Sequence, residues 1–252
     1  LQTDPTTGSI FVRWTKPNPS ELDTSIYLPP YRYELYHSDD MNGTNFGGSP
    51  IFISPSYTDF YAANDTFFTD TNLNTDGNAH SYRLQFFSAS DTLGTTKEAS
   101  SIYLQVASSD EQNSLSWSEN VPWQNTQYLV FLEQPTGSDN YVILDTVANQ
   151  NYLHQGLING ENYCYRIESW GSYNTANTPD TLFNNSQKAC GTPLDTIAPC
   201  PPDASTIVAI SSCEAIQDDA PRTPSDKACQ WCKAKATCKA LLDHTHKIIM
   251  HD

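Results

Sequence analysis

The sequence is poor in basic residues. Its 252 residues include 13 lysines and arginines against 29 aspartates and glutamates, which gives a formal net charge of -16. A chain this acidic repels the phosphates of nucleic acids and of anionic lipids, so broad electrostatic binding to nucleic acid is excluded. The plain interpretation of the charge is that it keeps the protein in solution.

Long apolar runs are also missing. No segment approaches the roughly 20 apolar residues that a membrane helix needs. The sequence starts at Leu1 without a basic and apolar leader, so we expect a mature or trimmed chain with no membrane span.

Catalytic motifs are absent as well. The sequence contains no G-x-S-x-G, no H-E-x-x-H and no phosphate-binding loop. His37, His80 and His154 are far apart in the sequence, and we expect them to be isolated. A carboxylate pair for glycoside hydrolysis is defined in space, so the sequence does not exclude one. We predict that the protein is not an enzyme.

What the sequence does contain is an internal repeat. The segment GSIFVRWTKP (8–17) corresponds to NSLSWSENVPW (113–123), YRYELYHS (31–38) corresponds to TQYLVFLEQ (126–134), and residues 65–89 correspond to 149–172. Trp14 and Trp117 are 103 positions apart, so the unit is about 100 residues long. The sequence therefore has room for two tandem copies of this unit.

Each copy has the pattern of short strands. Runs of four to eight residues rich in Tyr, Phe, Val, Ile and Thr alternate with period two and are separated by Asn, Asp, Gly and Pro. This pattern predicts an all-β chain of antiparallel sandwiches. The expected domains are a first sandwich at 1–107, a second at 108–196, a linker and first strand of a truncated third repeat at 197–217, and a Cys- and Lys-rich tail at 218–252.

The second copy carries a motif of a known family. Leu157 is followed six places later by Tyr163 in LINGENYCYRI, which resembles the fibronectin type III pattern, where this tyrosine makes a corner contact. In the first copy the matching Leu73 and Tyr82 are nine apart. Together with VRWTKP, PPYRYELYHSD, FTDTNLNTDG, VPWQNTQY and LDTIAPCPPD, residues 1–213 resemble the fibronectin-like repeats of gliding-motility-associated surface proteins exported by type IX secretion. The resemblance implies a secreted or surface-attached protein.

Four cysteines are candidates for disulfides. Cys164 lies on the strand of Tyr163, and Cys190 lies on what would be the last strand of the same sandwich, so neighbouring strands could bring them within bonding distance. We predict one disulfide between Cys164 and Cys190 and another between Cys200 and Cys213. The alternative is four buried free thiols. Oxidised cysteines favour an extracellular or cell-surface location.

The last 37 residues differ in composition from the rest. Residues 216–252 carry a net charge of +1 and contain Cys229, Cys232 and Cys238 in a C-x2-C-x5-C spacing. This stretch resembles the Cys-cluster end of phage and CRISPR-associated exonucleases, which implies an iron–sulfur cluster. Zinc bound by the three thiolates and His244 is an alternative, and an ordinary disulfide with a free thiol, or a tail foreign to the rest, is another.

Three weaker patterns complete the candidates. Asn72, Asn74, Asp76 and Gly77 mimic the start of a calcium loop, but Arg83 stands where the bidentate glutamate belongs, so a hairpin turn is the simpler interpretation. A looser site among Asp65, Asp70 and Asp76 stays open. Asp-Thr-aliphatic triplets resemble the O-glycosylation signal of the same bacterial group, and we expect turns or linkers to expose their threonines: Thr92, Thr146, Thr181 and Thr196.

Tyr27, Tyr31, Tyr33 and Tyr36 could form a sugar- or protein-binding stripe. Tyr31 and Tyr33 share one face of a strand while Tyr36 is on the other, so we expect one set to pack in the core.

These patterns favour a non-enzymatic extracellular structural or adhesive module, a spacer or ligand-presenting part of a cell-surface or filamentous protein. Its expected partners are other surface proteins or glycans, and edge strands could join copies into a homopolymer. A metal-binding nuclease fragment, based on the tail, and a carbohydrate-binding module are the alternatives.

Overall fold

The computed structural model describes residues 1–195 except Pro5, Pro19, Glu21, Ser90, Asn177, Pro179 and Asp180. In the first half of this part of the chain the strands are β1 (Gln2–Thr3), β2 (Ile10–Arg13), β3 (Tyr31–Ser38), β4 (Phe52–Ile53), β5 (Phe67–Asp70), β6 (Ser81–Ser88), β7 (Asp91–Thr95) and β8 (Ala99–Ser100). In the second half they are β9 (Tyr103–Ser109), β10 (Gln112–Ser118), β11 (Gln124–Glu133), β12 (Tyr141–Val147), β13 (Asn151–Gln155), β14 (Tyr163–Ser172), β15 (Leu182–Asn185) and β16 (Ala189–Gly191). A short 3₁₀ helix covers Phe60–Ala62.

The first sandwich consists of β1 to β8. One layer has the order β1-β2-β5, and the other has the order β4-β3-β6-β7 with β8 also paired to β6. Aromatic and aliphatic side chains from both layers fill the space between them, including Ile10, Tyr33, Leu35 and Phe86. Burial of this apolar surface is the main stabilising term of the sandwich.

The second sandwich repeats this arrangement. Its layers are β9-β10-β13 and β12-β11-β14-β15, with β16 paired to β14, and Leu115, Trp117, Val130 and Ile167 lie in its core. Every strand of the first sandwich therefore has a counterpart eight strands later. The predicted all-β fold of two tandem fibronectin type III-like sandwiches is confirmed for the described residues. The expected boundary after residue 107 falls inside β9, which pairs with β10 of the second sandwich.

Along β3, burial follows the period-two alternation of the sequence. Tyr31, Tyr33 and Leu35 are almost completely buried, whereas Tyr36 on the opposite face is half-buried and Tyr27 is exposed. Because alternate residues of a strand point to opposite faces, the period-two pattern selected the core side correctly. The tyrosines do not form a continuous exposed stripe.

The two sandwiches share one sheet. β1 of the first pairs in parallel with β15 of the second, with Gln2 opposite Asn185, so the layer β1-β2-β5 continues into the layer of β15, β14, β11 and β12. Backbone hydrogen bonding thus passes from one sandwich to the next. No helix in the described part of the chain is long and apolar enough to span a membrane.

Candidate functional site

Two histidines meet at one end of the first sandwich. The antiparallel register of β3 and β6 places His37 opposite Tyr82 and Ser38 opposite Ser81. One step further, the same register brings Asp39 opposite His80. Side chains two residues apart lie on the same face of a strand. His37, Asp39 and His80 therefore lie on the face of β3 and β6 whose other side chains form the core.

The three side chains are close enough to act together. His37 Nε2 lies 2.9 Å from His80 Nδ1, and Asp39 Oδ1 lies 3.5 Å from the first of these nitrogens and 3.3 Å from the second. The side chain of His80 is 1% exposed and that of Asp39 is 76% exposed. The cluster therefore runs from the buried core to the surface. We call it the His–Asp cluster.

The facing sheet contributes Asp70, the last residue of β5. Its Oδ2 accepts a hydrogen bond of 3.1 Å from the Tyr82 hydroxyl and lies 3.8 Å from His37 Nδ1. Burial lowers the pKa of His37, while the negative charges of Asp70 and Asp39 oppose this effect. Burial, reinforced by Asp70, raises the pKa of Tyr82 far above its usual value, so its hydroxyl stays a donor.

An open depression of about 370 Å³ reaches the cluster from solvent, lined among others by His37, Asp39, Asn45 and Phe46. The loop that forms its wall is organised by Asp40, whose carboxylate accepts hydrogen bonds from the Ser38 hydroxyl at 2.6 Å, the Asn42 N–H at 2.8 Å and the Thr44 N–H at 3.0 Å. The Ser38 hydrogen bond, helped by those from Thr44 and Asn42, lowers the pKa of Asp40 to about 2.

The expectation that these histidines are isolated is wrong for His37 and His80. They are 43 residues apart, and only the pairing of β3 with β6 brings them together. His154 is separate, on β13, with its Nδ1 2.9 Å from the Tyr165 hydroxyl. Two imidazole nitrogens and a carboxylate oxygen can share protons or hold a metal ion, and this is the group of such donors that the described residues bring together.

The second sandwich lacks the cluster at the corresponding positions. Ser81 pairs with Ser100 as Cys164 pairs with Cys190, so the preceding residues, His80 and Tyr163, correspond. Tyr82 lies opposite His37, and its counterpart Tyr165 lies opposite Leu132. The match of Tyr82 with the corner residue Tyr163 expected from the sequence is therefore wrong, because the strand register puts His80 at that position. By the same offset Asp39 corresponds to Gln134. Leu132, Gln134 and Tyr163 thus replace the three residues of the cluster.

Tyr163 makes the corner contact that the resemblance implies. Its hydroxyl oxygen accepts a hydrogen bond of 3.0 Å from the backbone N–H of Ile158. The hydroxyl therefore ties the start of β14 to the loop after β13, the usual role of a tyrosine corner.

Cys164 and Cys190 are joined by a disulfide between β14 and β16, as their positions on neighbouring strands indicate. The other cysteines lie outside the described residues, so the predicted Cys200–Cys213 disulfide and the metal ligands of the tail stay predictions. These ligands are Cys229, Cys232, Cys238 and His244.

The calcium-like segment forms a turn. Asn74 Oδ1 accepts a hydrogen bond of 3.1 Å from the Gly77 N–H, and the Asn74 carbonyl accepts from Asn78 at 3.2 Å. Asp65 accepts from the Tyr57 hydroxyl, and Asp70 accepts from Tyr82. Each of these two carboxylates therefore has a separate structural partner.

The candidate glycosylation residues Thr92, Thr146 and Thr181 are exposed, and Thr196 lies outside the described residues. The sequence predicts these threonines in turns or linkers. In the structure Thr92 lies in β7 and Thr146 lies in β12, both edge strands among the described strands, and Thr181 directly precedes β15.

A groove of about 410 Å³ lies where the two sandwiches meet. Trp14 lines it from the first sandwich, and Trp123 and Tyr173 line it from the second. The ring of Trp123 meets that of Tyr173 edge to face at 6.0 Å, and its N–H donates to Asn125 Oδ1 at 2.9 Å. Such fixed aromatic rings can stack against a sugar or hold an extended peptide.

Comparisons with known proteins return fibronectin type III domains. The sixth fibronectin type III domain of human fibronectin type III domain containing protein 3 is 16% identical with a TM-score of 0.29, covering 39% of this chain and 88% of that one. The chicken CNTN1 FN1–FN3 domains are 11% identical with a TM-score of 0.25, covering 74% of this chain and 61% of that one. At these TM-scores the likeness carries no further conclusion. No family model matches the sequence, and no curated protein matches it.

Proposed function

We propose that the protein is a non-enzymatic structural or adhesive module of an extracellular or cell-surface protein, in which two firmly joined sandwiches act as a spacer that presents ligands. The observation that carries this proposal is the sheet that continues from the first sandwich into the second through β1 and β15. A joint made of backbone pairing resists bending more than a flexible linker would.

A polar network reinforces the joint. The Asn184 side-chain amide donates to the Ser100 carbonyl at 2.9 Å and to Glu119 Oε2 at 3.0 Å. Ser100 and Asn120 are joined by two further hydrogen bonds: the Ser100 N–H donates to the Asn120 carbonyl at 2.8 Å, and the Asn120 N–H donates to the Ser100 side-chain hydroxyl at 2.7 Å. The end of β8 is therefore bound to the second sandwich on two sides.

The extracellular location is supported by the Cys164–Cys190 disulfide, since disulfides persist in oxidising compartments. The net charge of -16 keeps such a surface from sticking to other acidic molecules. The resemblance to repeats of gliding-motility proteins exported by type IX secretion is consistent with this location and adds surface proteins and glycans as partners.

Homopolymerisation through edge strands is part of the proposal. Among the described strands β12 is the last of its sheet, and its Val142 and Ile143 are exposed. An unpaired edge with apolar side chains can accept a strand from another molecule. Thr146 lies on this same strand, so a glycan on it would add bulk beside that edge.

The joint can be tested by distance measurements on the full chain. Spin labels attached to ketone-bearing residues at the exposed positions of Thr58 and Asn140 report the separation of the two sandwiches. We expect one narrow distance distribution, which broadens when Asn184→Ala weakens the network. A broad distribution in the parent protein would contradict a stiff spacer. Antibody labelling of intact cells tests the location, and labelling only after permeabilisation would contradict a surface role.

Carbohydrate binding is a second candidate function, favoured by the aromatic groove between the sandwiches. Glycan-array screening of the full chain tests it, with Trp123→Ala as the variant that removes a stacking surface. Tyr61→Ala is a matched control, because Tyr61 is an exposed aromatic residue outside the groove. Equal binding by both variants would place the sugar elsewhere.

A further inference from the structure

We propose that the His–Asp cluster is a zinc site, with His37 Nε2, His80 Nδ1 and an Asp39 carboxylate oxygen as ligands. The site is argued independently of the spacer role, because the three ligand side chains are not those that bond across the joint, although the backbone of His80 bonds to Ser101 beside it. It is also separate from the cysteines of the tail.

The spacing of the three atoms fits the ion. In tetrahedral zinc sites the ligands lie about 2.0 to 2.2 Å from the metal, so neighbouring ligand atoms are about 3.3 Å apart. The observed edges are 2.9 Å between the two nitrogens and 3.5 and 3.3 Å from these nitrogens to Asp39 Oδ1. The triangle is already one face of such a tetrahedron, and only the edge between the nitrogens must lengthen.

The donor set selects the class of metal. Two imidazoles and one carboxylate suit zinc and its neighbours in the first transition row, whereas calcium and magnesium prefer oxygen ligands alone. Three protein ligands leave a fourth position, and the depression beside His37 and Asp39 connects it to solvent. The fourth ligand is then water or a side chain of a partner.

Neighbouring groups determine how the rings are held. His37 Nδ1 lies 3.8 Å from Asp70 Oδ2, beyond hydrogen-bond distance, so Asp70 acts on this ring by its negative charge. Coordination through Nδ1 requires His80 to carry its proton on Nε2, which is buried without a hydrogen-bond partner among the described residues. Metal binding at Nδ1 therefore fixes His80 in this one tautomer, and the position of its proton can be measured.

The second sandwich shows that the fold does not require these residues. It forms the same strand order with Leu132, Gln134 and Tyr163 at the corresponding positions. In the second sandwich these positions hold a leucine in the core and a tyrosine that makes the corner contact. In the first sandwich they hold two imidazole rings beside a carboxylate. Burying polar groups costs free energy unless they are bonded. The two facing ring nitrogens bond to each other without a metal and would both ligate it when it is present, whereas His80 Nε2 has no partner among the described residues in either case.

The test uses the full chain without a histidine tag, in a background that removes the thiolates of the tail. That background carries the substitutions Cys229→Ser, Cys232→Ser and Cys238→Ser. Zinc is titrated into metal-free protein by calorimetry, with calcium and magnesium as comparison ions. We expect one strong zinc site and no comparable binding of the other two ions.

Variants then locate the site. Asp39→Asn, at an exposed position, and His37→Gln should each weaken zinc binding at least about tenfold, or about 1.4 kcal/mol. The controls Asp145→Asn, an exposed aspartate of the second sandwich, and His154→Gln should bind zinc as the parent does. Nitrogen-15 spectra of the imidazoles should show zinc-dependent shifts at His37 Nε2 and His80 Nδ1, with the His80 proton on Nε2.

Three results would overturn the proposal. They are an absence of zinc binding by the parent, unchanged affinity in both cluster variants, and imidazole spectra in which His37 and His80 do not respond to zinc. If one variant fails to fold, the other variant and the spectra of the parent still decide the matter.

Discussion

His80 stands in the first sandwich where Tyr163 stands in the second. His80 directly precedes β6 and Tyr163 is the first residue of β14, and each is one residue before the matching cross-strand pair, Ser81 with Ser100 or Cys164 with Cys190. One position therefore serves a corner hydrogen bond in one copy and the His–Asp cluster in the other. Because the surrounding topology is the same, the difference lies in the side chains alone.

The corner contact of Tyr163 predicts a loss of stability in Tyr163→Phe. The substitution leaves the ring but removes the acceptor of the Ile158 N–H, so we expect the free energy of unfolding to fall by about 1 kcal/mol. Urea denaturation measures the change. Tyr141→Phe is the matched control, because the Tyr141 hydroxyl is buried without a partner among the described residues and its removal should cost nothing. Equal effects of the two substitutions would show that the corner bond is not stabilising.

The repeat also predicts that a second disulfide can be introduced into the first sandwich. Ser81 and Ser100 are buried and directly paired, as Cys164 and Cys190 are. We expect Ser81→Cys combined with Ser100→Cys to oxidise, visible as the loss of two hydrogens in the intact mass. Closing a loop of about 20 residues stabilises by about 3 kcal/mol in the chain-entropy treatment.

Part of that gain is lost, because Ser81 donates to the Asp40 carbonyl and Ser100 accepts from the Asn120 N–H, each bond worth about 1 kcal/mol. The net stabilisation should be about 1 kcal/mol by denaturation under oxidising against reducing conditions. Thiols that stay reduced under conditions that oxidise Cys164 and Cys190 would contradict the equivalence of the two positions.

The half-buried carboxylate of Glu119 at the joint predicts a pH dependence. Glu119 accepts hydrogen bonds from Asn125, Tyr128 and Asn184, but burial outweighs them and raises its pKa. Between the unfolded pKa, near 4.5, and the higher folded pKa, the native state binds more protons than the unfolded state. Stability from this group is therefore present at low pH and is lost as the pH rises through the folded pKa.

Glu119→Gln removes this titration. We expect the stability of the parent, relative to that of the variant, to fall as the pH rises from about 4.5. Urea denaturation across the pH range measures the difference, and the exposed Glu161→Gln should follow the parent throughout. A parent that gains stability over Glu119→Gln with rising pH would reverse the sign and refute the burial argument.

The sequence reveals the fold because the relevant signals are local. Tyr31 and Tyr33 alternate with Tyr36 within a few residues, and this is enough to define a strand with a buried face. The His–Asp cluster depends instead on the register between two strands whose histidines are 43 residues apart. Aligning HSYRL with YCYRI would have placed His80 at the position of Tyr163, but the contact with His37 still requires the register.

The shared sheet was also outside the reach of sequence patterns. β1 contains two residues, Gln2 and Thr3, and nothing in them distinguishes pairing within one sandwich from pairing with Asn185 of the other. Joints between repeats depend on which edges are left unpaired after each sandwich has formed. Residue periodicity carries no such information.

The ion pair of Lys188, at the end of the second sandwich away from the joint, predicts a large loss of stability when the lysine is replaced. Its ammonium group donates to Glu133 Oε1 at 2.7 Å and to Asp139 Oδ1 at 3.2 Å, and the side chain of Glu133 is completely buried. Burial alone raises the pKa of Glu133, but the hydrogen bond from Lys188, with others from the backbone, leaves it below its usual value. Stability from this carboxylate is thus present above the unfolded pKa and is lost as the pH falls through the folded pKa.

Lys188→Met leaves a buried carboxylate without its cation, so we expect a loss of about 3 kcal/mol at neutral pH. The loss should shrink in acid, where Glu133 is protonated in both proteins. Asp139→Asn, which removes the exposed partner, should cost less than about 1 kcal/mol. Because the neutral amide of Gln needs no cation, Glu133→Gln added to Lys188→Met should restore part of the stability, and failure to do so would mean that packing of the lysine stem, rather than its charge, is what stabilises the native state.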